Sequence, residues 1–493
     1  MLQRLIASVV MIFSLMASMP VMGQSYQGAS SARRPQAAPR TGVPSRWQGK
    51  PSESRPSRRP VTTASHVSAD YVVEGDIIAD GGDYYDSGCS SCGGGGCSTC
   101  TSGGGQLGEG YCDSCNVPNR FCICFPAHGW VQAEYLNWSQ DGMNLPALVS
   151  TSPDGTARAN AGVLGNTGSI LYGGSNNYQD DDRSGFRIRF GFWLSSFPGL
   201  GVEGEYVGLG EETESYYRNS AGSPILARPF FNVQDGQNDS ELVAFPGVLN
   251  GNIGITTTSE FNGAAFRFRR QLCCSNGCAY SPLVCQTVPT SSRWDATLGY
   301  RFWQLDESLT ATENLRTTGT GTTDTFAITD RFETLNQFNG VELGVLWQGR
   351  RGMWSLDGLM RLGIGNVKQT VNITGSSLIN EGGVSTAYNS GFLAQRSNIA
   401  GYSQENFTMV PELGATLGYQ MTRRLRVTAG YSAIYWGSVV RPGDQVDLDV
   451  NPLLLPPEQA TPVVANGALR PQFQFVETDY WVQGLSFGAD FRW

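Results

Sequence analysis

Apolar and polar residues alternate along ten separate segments of the chain, from residue 129 to the last residue. A period of two predicts β-strands with two unlike faces. In GFRIRFGFWL, for example, the three phenylalanines share one parity, and Arg187 and Arg189 share the other. The ten segments are residues 129–138, 185–194, 201–209, 260–270, 292–303, 337–347, 353–365, 407–419, 424–436 and 479–493.

The connections between these segments alternate between short and long. Residues 195–200, 348–352 and 420–423 carry the polar residues of tight turns, and the cysteine-bearing stretch 271–291 occupies another short position. The other connections contain about 33 to 50 residues each. A compact soluble domain rarely carries several loops of that length, whereas outer-membrane barrels combine short turns at one end with long loops at the other.

A strand that crosses a membrane must pair all its backbone groups within a closed sheet and present its apolar face to lipid. If the apolar faces of the ten segments point outward, their charged residues point into the lumen. The predicted lumen-facing residues are Glu134, Arg187, Arg189, Glu203, Glu205, Arg267, Arg269, Asp295, Arg301, Glu342, Asp357, Arg361, Glu412, Arg424, Arg426, Asp490 and Arg492.

Tryptophan is concentrated near the ends of the predicted strands, which predicts aromatic girdles at the two membrane–water interfaces. The predicted girdle residues are Trp130, Trp294, Trp347, Trp354, Trp481 and Trp493. Four further tryptophans fall on the polar parity of their strands, namely Trp138, Trp193, Trp303 and Trp436. Either β-bulges shift the register near the rims, or these four indoles face the lumen.

The predicted fold is therefore all-β: a transmembrane antiparallel up-and-down β-barrel of ten to twelve strands with long outer loops, preceded by a disordered leader. Residues 324–333 and 370–395 are candidates for an additional pair of strands. The alternative is a soluble β-sandwich or lipocalin-like barrel with its apolar face inward, a fold that does not need five such loops. The chain ends on Trp493 in an amphipathic strand, which resembles the signal read by barrel-assembly machinery. That machinery and outer-membrane lipid are the expected partners.

Three segments precede the predicted barrel, which spans residues 126–493. Residues 1–23 combine a basic start, a short apolar core and small residues before Gln24, which predicts a secretory signal peptide rather than a signal anchor. Residues 24–85 form a basic leader rich in Pro, Ser and Arg that is predicted to be disordered. This leader is either a solvated spacer or a tether to anionic cell-wall or lipid head groups. Export by the signal peptide places the barrel in the outer membrane.

Residues 86–125 form a separate segment rich in Cys and Gly. Eight of the 12 cysteines fall here and four fall in LCCSNGCAYSPLVC, and in an exported protein these even numbers predict disulfides. A thiolate metal site is the alternative, because the four cysteines from Cys97 to Cys115 have C-x2-C spacing. No thioredoxin-like pattern supports redox catalysis, and neither a metal site nor a cofactor is predicted. The disulfide candidates are Cys89, Cys92, Cys97, Cys100, Cys112, Cys115, Cys122, Cys124, Cys273, Cys274, Cys278 and Cys285.

Composition favours a β-rich membrane chain over an enzyme. Charged residues make up 16% of the chain and glycine accounts for 62 residues, whereas soluble domains average about 25% charged residues. The two histidines, His66 and His128, precede the first strand, so the outer loops lack a Ser–His or Asp–His pair. We expect no enzymatic activity. We also expect no nucleic-acid binding from an exported chain of net charge −9.

Several of these stretches resemble the putative beta-barrel porin-7 family of planctomycete-type bacteria. The resemblance covers about residues 125–493 and implies an outer-membrane barrel of porin type, without establishing transport. It rests on GWVQAEYLNWSQDGMNLPALVSTSP, SGFRIRFGFWL and YWVQGLSFGADFRW. The matching features are Trp130, Glu134, Tyr135, Trp138, the Leu145–Pro146 pair and the glycine-rich strand after Ser184.

Two functions fit this picture. The first expectation is a porin-like channel for passive passage of small polar solutes, in which inward charges set up a field across a water-filled lumen. Inward glycines such as Gly299, Gly344 and Gly488 would leave room for it, although glycine also allows strands to bend. The alternative is a non-conducting structural or surface-interaction barrel that anchors the long external loops. The sequence leaves the oligomeric state open.

Overall fold

The computed structural model describes residues 128–281, 286–319, 323–457 and 469–493. The predicted signal peptide, leader and Cys-rich segment lie outside these residues. The regular secondary structure of the described residues is almost entirely β-strand. Three short 3-10 helices make up the rest. No helix within the described ranges is long and apolar enough to cross a membrane.

Ten long antiparallel strands form a closed ring in chain order. Each strand pairs with the next one along the chain, and β10 pairs back onto β1, with Trp130 opposite Arg492. The strands are β1 (Gly129–Gln140), β2 (Arg183–Trp193), β3 (Leu200–Ser220), β4 (Leu249–Ser281), β5 (Gln286–Thr317), β6 (Thr325–Arg351), β7 (Trp354–Glu381), β8 (Ala400–Gln420), β9 (Leu425–Val440) and β10 (Glu477–Arg492). The prediction of an up-and-down barrel is confirmed, and the ten alternating segments of the sequence each fall in one strand of this ring.

The two stretches considered for an extra pair of strands belong to the ring instead. Residues 325–333 are the first part of β6, and residues 370–381 are the last part of β7. The segment Val384–Tyr388 folds back onto β7 as a short hairpin. Because the central strands continue beyond the predicted segments, the connection between β5 and β6 shrinks to residues 318–324. The prediction of a loop of about 33 residues there is wrong.

The chemical character of the two strand faces inverts along each long strand, although the side-chain parity does not. On β5 the outward residues Trp294, Leu298 and Tyr300 are 43%, 52% and 52% exposed. Further along the same face, Asp306 and Thr310 replace them. The inward face changes in the opposite sense, from ionic residues to buried Leu305, Leu309 and Ala311. The barrel therefore carries an apolar outer belt around one half only.

The height of this belt matches a bilayer. On β7 the outward apolar residues run from Trp354 to Ile364. Ten residues at about 3.3 Å each, tilted by about 40°, cover about 25 Å along the barrel axis. The belt adjoins the short turns, so the extended strand ends and the longer loops lie beyond it.

The longer loops fold over the far end of the barrel, and we call residues 141–182, 221–248, 382–399, 441–457 and 469–476 the crown. Their short strands form a small sheet and a separate pair: Val149–Thr151, Ser169–Tyr172, Leu226–Asn232, Gln237–Ala244 and Asp449–Val450, and Met143–Leu145 with Ser175–Tyr178. The 3-10 helices are Arg158–Asn160, Pro442–Gln445 and Pro452–Leu454. Crown residues such as Leu226, Phe230 and Phe392 share one buried cluster with Ile255 and Ile373 of the barrel wall. The apolar inward face of the extensions exists because the crown covers it.

The belt predicts how charge is tolerated on the outer surface of β5. Leu298→Arg, near the middle of the belt, should lower the free energy of unfolding from lipid by about 2–4 kcal/mol, because a guanidinium enters hydrocarbon. The matched variant Thr310→Arg adds the same charge to the same face above the belt and should change it by less than about 1 kcal/mol. Equilibrium denaturant unfolding in vesicles measures both. Equal losses for the two variants would contradict the placement of the belt.

Candidate functional site in the barrel lumen

The inward charges of the belt half form one ionic network centred on Glu205 of β3. Its carboxylate lies 3.0 Å from Arg189, 3.1 Å from Arg267, 2.9 Å from Arg301 and 2.9 Å from Arg361. The side chain is 1% exposed. Four guanidinium groups from four different strands thus converge on one carboxylate.

The ion pairs cross the lumen as well as running along the wall. Arg361 on β7 reaches Glu203 and Glu205 on β3 at 3.2 and 2.9 Å, although three strands separate β3 from β7 on the shorter way round the ring. Arg301 on β5 reaches Glu412 on β8 at 2.8 Å. These ion pairs join strands on opposite sides of the ring, so side chains fill the cross-section of the lumen at this level.

The opposite charges of the network nearly balance. It contains seven arginines and six acidic residues, and each side chain is at most 18% exposed. Its members are Arg187, Arg189, Arg267, Arg269, Arg293, Arg301 and Arg361 with Glu134, Glu203, Glu205, Asp295, Glu342 and Glu412. Every charge has a partner, which offsets the cost of removing these ions from water. The pairing leaves an excess of one positive charge over the whole network.

A smaller ionic group lies nearer the short turns. Arg426 pairs with Asp357 at 2.7 Å and with Asp490 at 3.0 Å, and Arg492 also contacts Asp490 at 3.0 Å. Arg424, in contrast, is exposed in the tight turn before β9. Arg424 was predicted to face the lumen, but β9 begins one residue later, so its side chain is exposed at the rim instead of being buried among the lumen charges.

Aromatic side chains form the next layer of the lumen, between the network and the crown. The indoles of Trp138, Trp303 and Trp436 are at most 2% exposed and pack with Phe261 and Phe338. These tryptophans fall on the polar parity because they point inward. The strands are regular around Trp138 and Trp303.

Trp130 was predicted for the outer girdle, and the structure places it inside. Its ring centroid lies 5.5 Å from that of Trp193, and Arg269 lies 5.5 Å from the Trp130 ring. The strand β1 pairs without a bulge, so Trp130 shares the inward parity of Glu134. Gly191 on β2 provides the space for the indole. The other five predicted girdle residues, Trp294, Trp347, Trp354, Trp481 and Trp493, lie on outward parity.

The inward glycines make room for neighbouring side chains rather than for water. A Cβ on Gly299 would lie 2.5 Å from the Cβ of Arg267, and one on Gly344 would lie 2.8 Å from Cγ of Arg361. One on Gly488 would lie 2.7 Å from Cγ of Glu134. Glycine is needed at these positions because the arginine and glutamate stems of the neighbouring strands occupy the space that a Cβ would need.

Two further charged clusters join the crown to the barrel wall. Arg441 from the β9–β10 loop contacts Glu307 of β5 at 2.7 Å. Arg228 from the β3–β4 loop contacts Glu313, and it contacts Asp330 of β6 at 2.8 Å. Sequence reasoning missed these residues. The inward parity of Glu307, Glu313 and Asp330 was a usable signal, but nothing local shows that two loop arginines enter the lumen.

The Arg228 cluster contains an excess of acid. Glu241 lies opposite Arg228 in the crown hairpin, and its Oε2 atom is buried without a hydrogen-bond partner. Burial, reinforced by Glu313, raises the pKa of Glu241 well above its usual range. Burial also raises the pKa of Glu313, against the pull of Arg228.

Comparison with known protein families identifies the family of this barrel. The model of the family described as Putative beta barrel porin-7 matches residues 130–493. The chain belongs to this family. The match starts at the first strand and ends at the last residue, and so covers the whole closed ring, as the resemblance in the sequence predicted.

Several solved structures match the chain at low sequence identity and low TM-score. Escherichia coli outer membrane protease OmpT is 8% identical, covers 75% of this chain and 97% of its own, and gives a TM-score of 0.33. Vibrio cholerae OmpT is 9% identical, with 75% and 100% covered and a TM-score of 0.09. The P. putida toluene transporter TodX is 8% identical, with 75% and 90% covered and a TM-score of 0.13. No curated protein matches the chain. The closed sheet, its apolar belt and the family together make this chain an outer-membrane β-barrel protein.

Three cysteines of this family member are described, Cys273, Cys274 and Cys278, and all three are exposed free thiols. The other disulfide candidates lie outside the described residues. Within the described ranges, no group of three or more His, Cys, Asp or Glu residues is arranged to hold a metal ion.

The lumen network predicts a large stability loss when one partner is removed. Arg361→Met should lower the free energy of unfolding by about 3–5 kcal/mol, because it leaves Glu203, Glu205 and Glu412 with fewer buried partners. The control Arg331→Met removes an exposed 2.6 Å pair with Glu333 on the outer surface and should cost less than about 1 kcal/mol. Denaturant unfolding in vesicles compares them. Similar small losses would mean that the network does not hold the barrel together.

The acid excess predicts a pH-dependent crown. Between the usual glutamate pKa and the raised one, the folded hairpin 226–244 retains a proton that the unfolded chain has lost, so its stability falls as pH rises. We expect this hairpin to resist protease better at pH 5 than at pH 8. The variant Glu241→Gln should remove most of that difference, because its side chain is neutral at both pH values. A difference that persists in Glu241→Gln would contradict the role of this carboxyl.

Proposed function

We propose that this protein is a barrel that does not conduct in its resting conformation and that anchors its folded loops at the outer surface of the cell. The observation that carries the proposal is the set of ion pairs that cross the lumen from β7 to β3 and from β5 to β8. A water-filled path cannot pass through a cross-section occupied by paired, buried side chains.

Two further layers support a closed lumen. Above the network, the buried indoles of Trp138, Trp303 and Trp436 occupy the interior. Above these, the crown packs its apolar residues into the mouth of the barrel. An open channel would require at least three separate layers to move.

The folded crown supports the anchoring role. In barrels of this membrane, long loops face outward and short turns face the periplasm, which would place the crown outside the cell. The crown is held by its own sheet, by apolar packing, and by Arg228 and Arg441. A surface held in one conformation suits recognition or packing between cells better than a set of mobile loops does.

The passive channel, which was the first expectation from sequence, ranks second. It draws support from the porin family and from the many inward charges. Those charges are held in ion pairs with one another, however, and the glycines beside them are covered by arginine and glutamate stems.

Planar-bilayer recording of the full chain tests the proposal. We expect no stable conductance steps at neutral pH and moderate salt, while a general porin reconstituted in the same lipid supplies the positive control. Insertion is verified separately by heat-modifiable migration of protein recovered from vesicles. Regular steps from correctly inserted wild-type protein would overturn the closed-barrel proposal and favour the channel.

A further inference from the structure

A cavity of about 720 Å³ lies in the mouth of the barrel, between the crown and the inner face of β5, β6 and β7. Most of its wall is apolar, and it includes Leu315, Phe326, Ile328, Ile379, Phe392 and Leu455. Arg158 and Ala159 of the crown also line the cavity and are exposed, so it opens to water. Its volume falls in the range of sites that bind small organic molecules.

One carboxyl on this wall lacks a hydrogen-bond donor. Glu241 lines the cavity together with Ser240 and Leu242 of the crown hairpin. Its Oε2 atom is buried and has no hydrogen-bond partner among the described residues. A buried acceptor without a donor is costly, whereas a solvated one is satisfied by water. A ligand that donates to Oε2 therefore gains more here than it would at a surface carboxyl.

The surroundings of Glu241 are short of positive charge. Glu313 of β5 and Asp330 of β6 face it from the wall, and Arg228 lies opposite it in the hairpin. Arg228 contacts both Glu313 and Asp330, the latter at 2.8 Å. One guanidinium therefore serves three carboxyls, while Arg158 on the cavity wall is exposed to water.

An organic cation fits this position better than a metal ion does. In the part of the chain that the structure describes, no three or more His, Cys, Asp or Glu side chains are arranged to hold a metal. A hard cation such as Ca²⁺ or Mg²⁺ takes about six or more oxygen ligands, which an apolar wall does not supply. An alkylammonium needs one carboxylate for its charge and apolar surface for its hydrocarbon.

We propose that this cavity binds a small amphipathic amine, with the ammonium on the carboxylate of Glu241 and the hydrocarbon against the apolar wall. The ligand enters from the crown side, which the proposed function places outside the cell. The site adds a binding activity to the anchoring role, and it does not depend on whether the lumen conducts.

Binding of the amine should release a proton. In the free protein, burial and the charge of Glu313 raise the pKa of Glu241, whereas a bound ammonium favours the ionised carboxylate. The affinity for the amine should therefore rise with pH as free Glu241 loses its proton. An alkylamine itself stays charged up to about pH 10.

Isothermal titration calorimetry of the full chain in lipid nanodiscs tests the proposal, with phenylbutylamine as the probe and empty nanodiscs as the background. At pH 8 we expect saturable binding to wild type and about 10- to 100-fold weaker binding to Glu241→Gln, because a charge-assisted hydrogen bond is lost. Phenylbutanol, which has no positive charge, should bind wild type about tenfold or more weakly than the amine. Lowering the pH to 6 should weaken amine binding to wild type but not to Glu241→Gln.

Two further variants complete the test. Glu381→Gln removes an exposed carboxyl at the same end of the barrel and should bind the amine as wild type does. Ile328→Trp adds bulk to the cavity wall and should weaken the amine and the alcohol alike. Heat-modifiable migration verifies that each variant folds. Wild-type binding no stronger than the background, equal affinity in Glu241→Gln, or equal affinity for the amine and the alcohol would each overturn the proposal.

Discussion

The small diameter of a ten-stranded ring is the constraint on which the rest of this structure depends. Backbone groups in hydrocarbon must be paired, so the sheet has to close. A ring of this size encloses a space that side chains can nearly fill. Charged residues that alternate with the lipid-facing ones are consequently brought within a few ångströms of one another across the lumen, where each charge needs a partner of opposite sign. The seven arginines and six acidic residues around Glu205 satisfy that requirement.

The same requirement explains the order of the layers. Where the outer face meets lipid, the inward face carries ions and glycines. Where the outer face turns polar above the belt, the inward face turns apolar, because the crown descends into the mouth and needs a surface to pack against. The aromatic layer of Trp138, Trp303 and Trp436 separates the two regimes. The barrel is in this sense two structures on one set of strands: an ion-filled membrane segment and a soluble-like capped extension.

The closed lumen changes how the inward charges are interpreted. A row of arginines and glutamates on the polar face of amphipathic strands is equally consistent with a selective pore and with an interior filled by salt bridges. The two differ in whether opposite charges touch, which depends on ring diameter and on the stagger of neighbouring strands. Here Arg361 touches Glu205 from across the ring, and the interpretation shifts from conduction to stability and anchoring.

Local alternation of residue types determined the ten core strand segments, their apolar outer faces and the parity of most charged residues, because a strand's two faces follow from a period of two alone. The number of strands, which the sequence left between ten and twelve, was decided by the pairing of the ring. The same alternation also predicts that Trp130 points inward, because Trp130 has the parity of Glu134. The expectation of an aromatic girdle led to the opposite assignment. Contacts between distant parts of the chain were decided only by the tertiary structure. Which arginine meets which glutamate, how far β5 and β6 extend, and where Arg228 and Arg441 insert all depend on ring closure and loop packing, and neither leaves a periodic trace in the sequence.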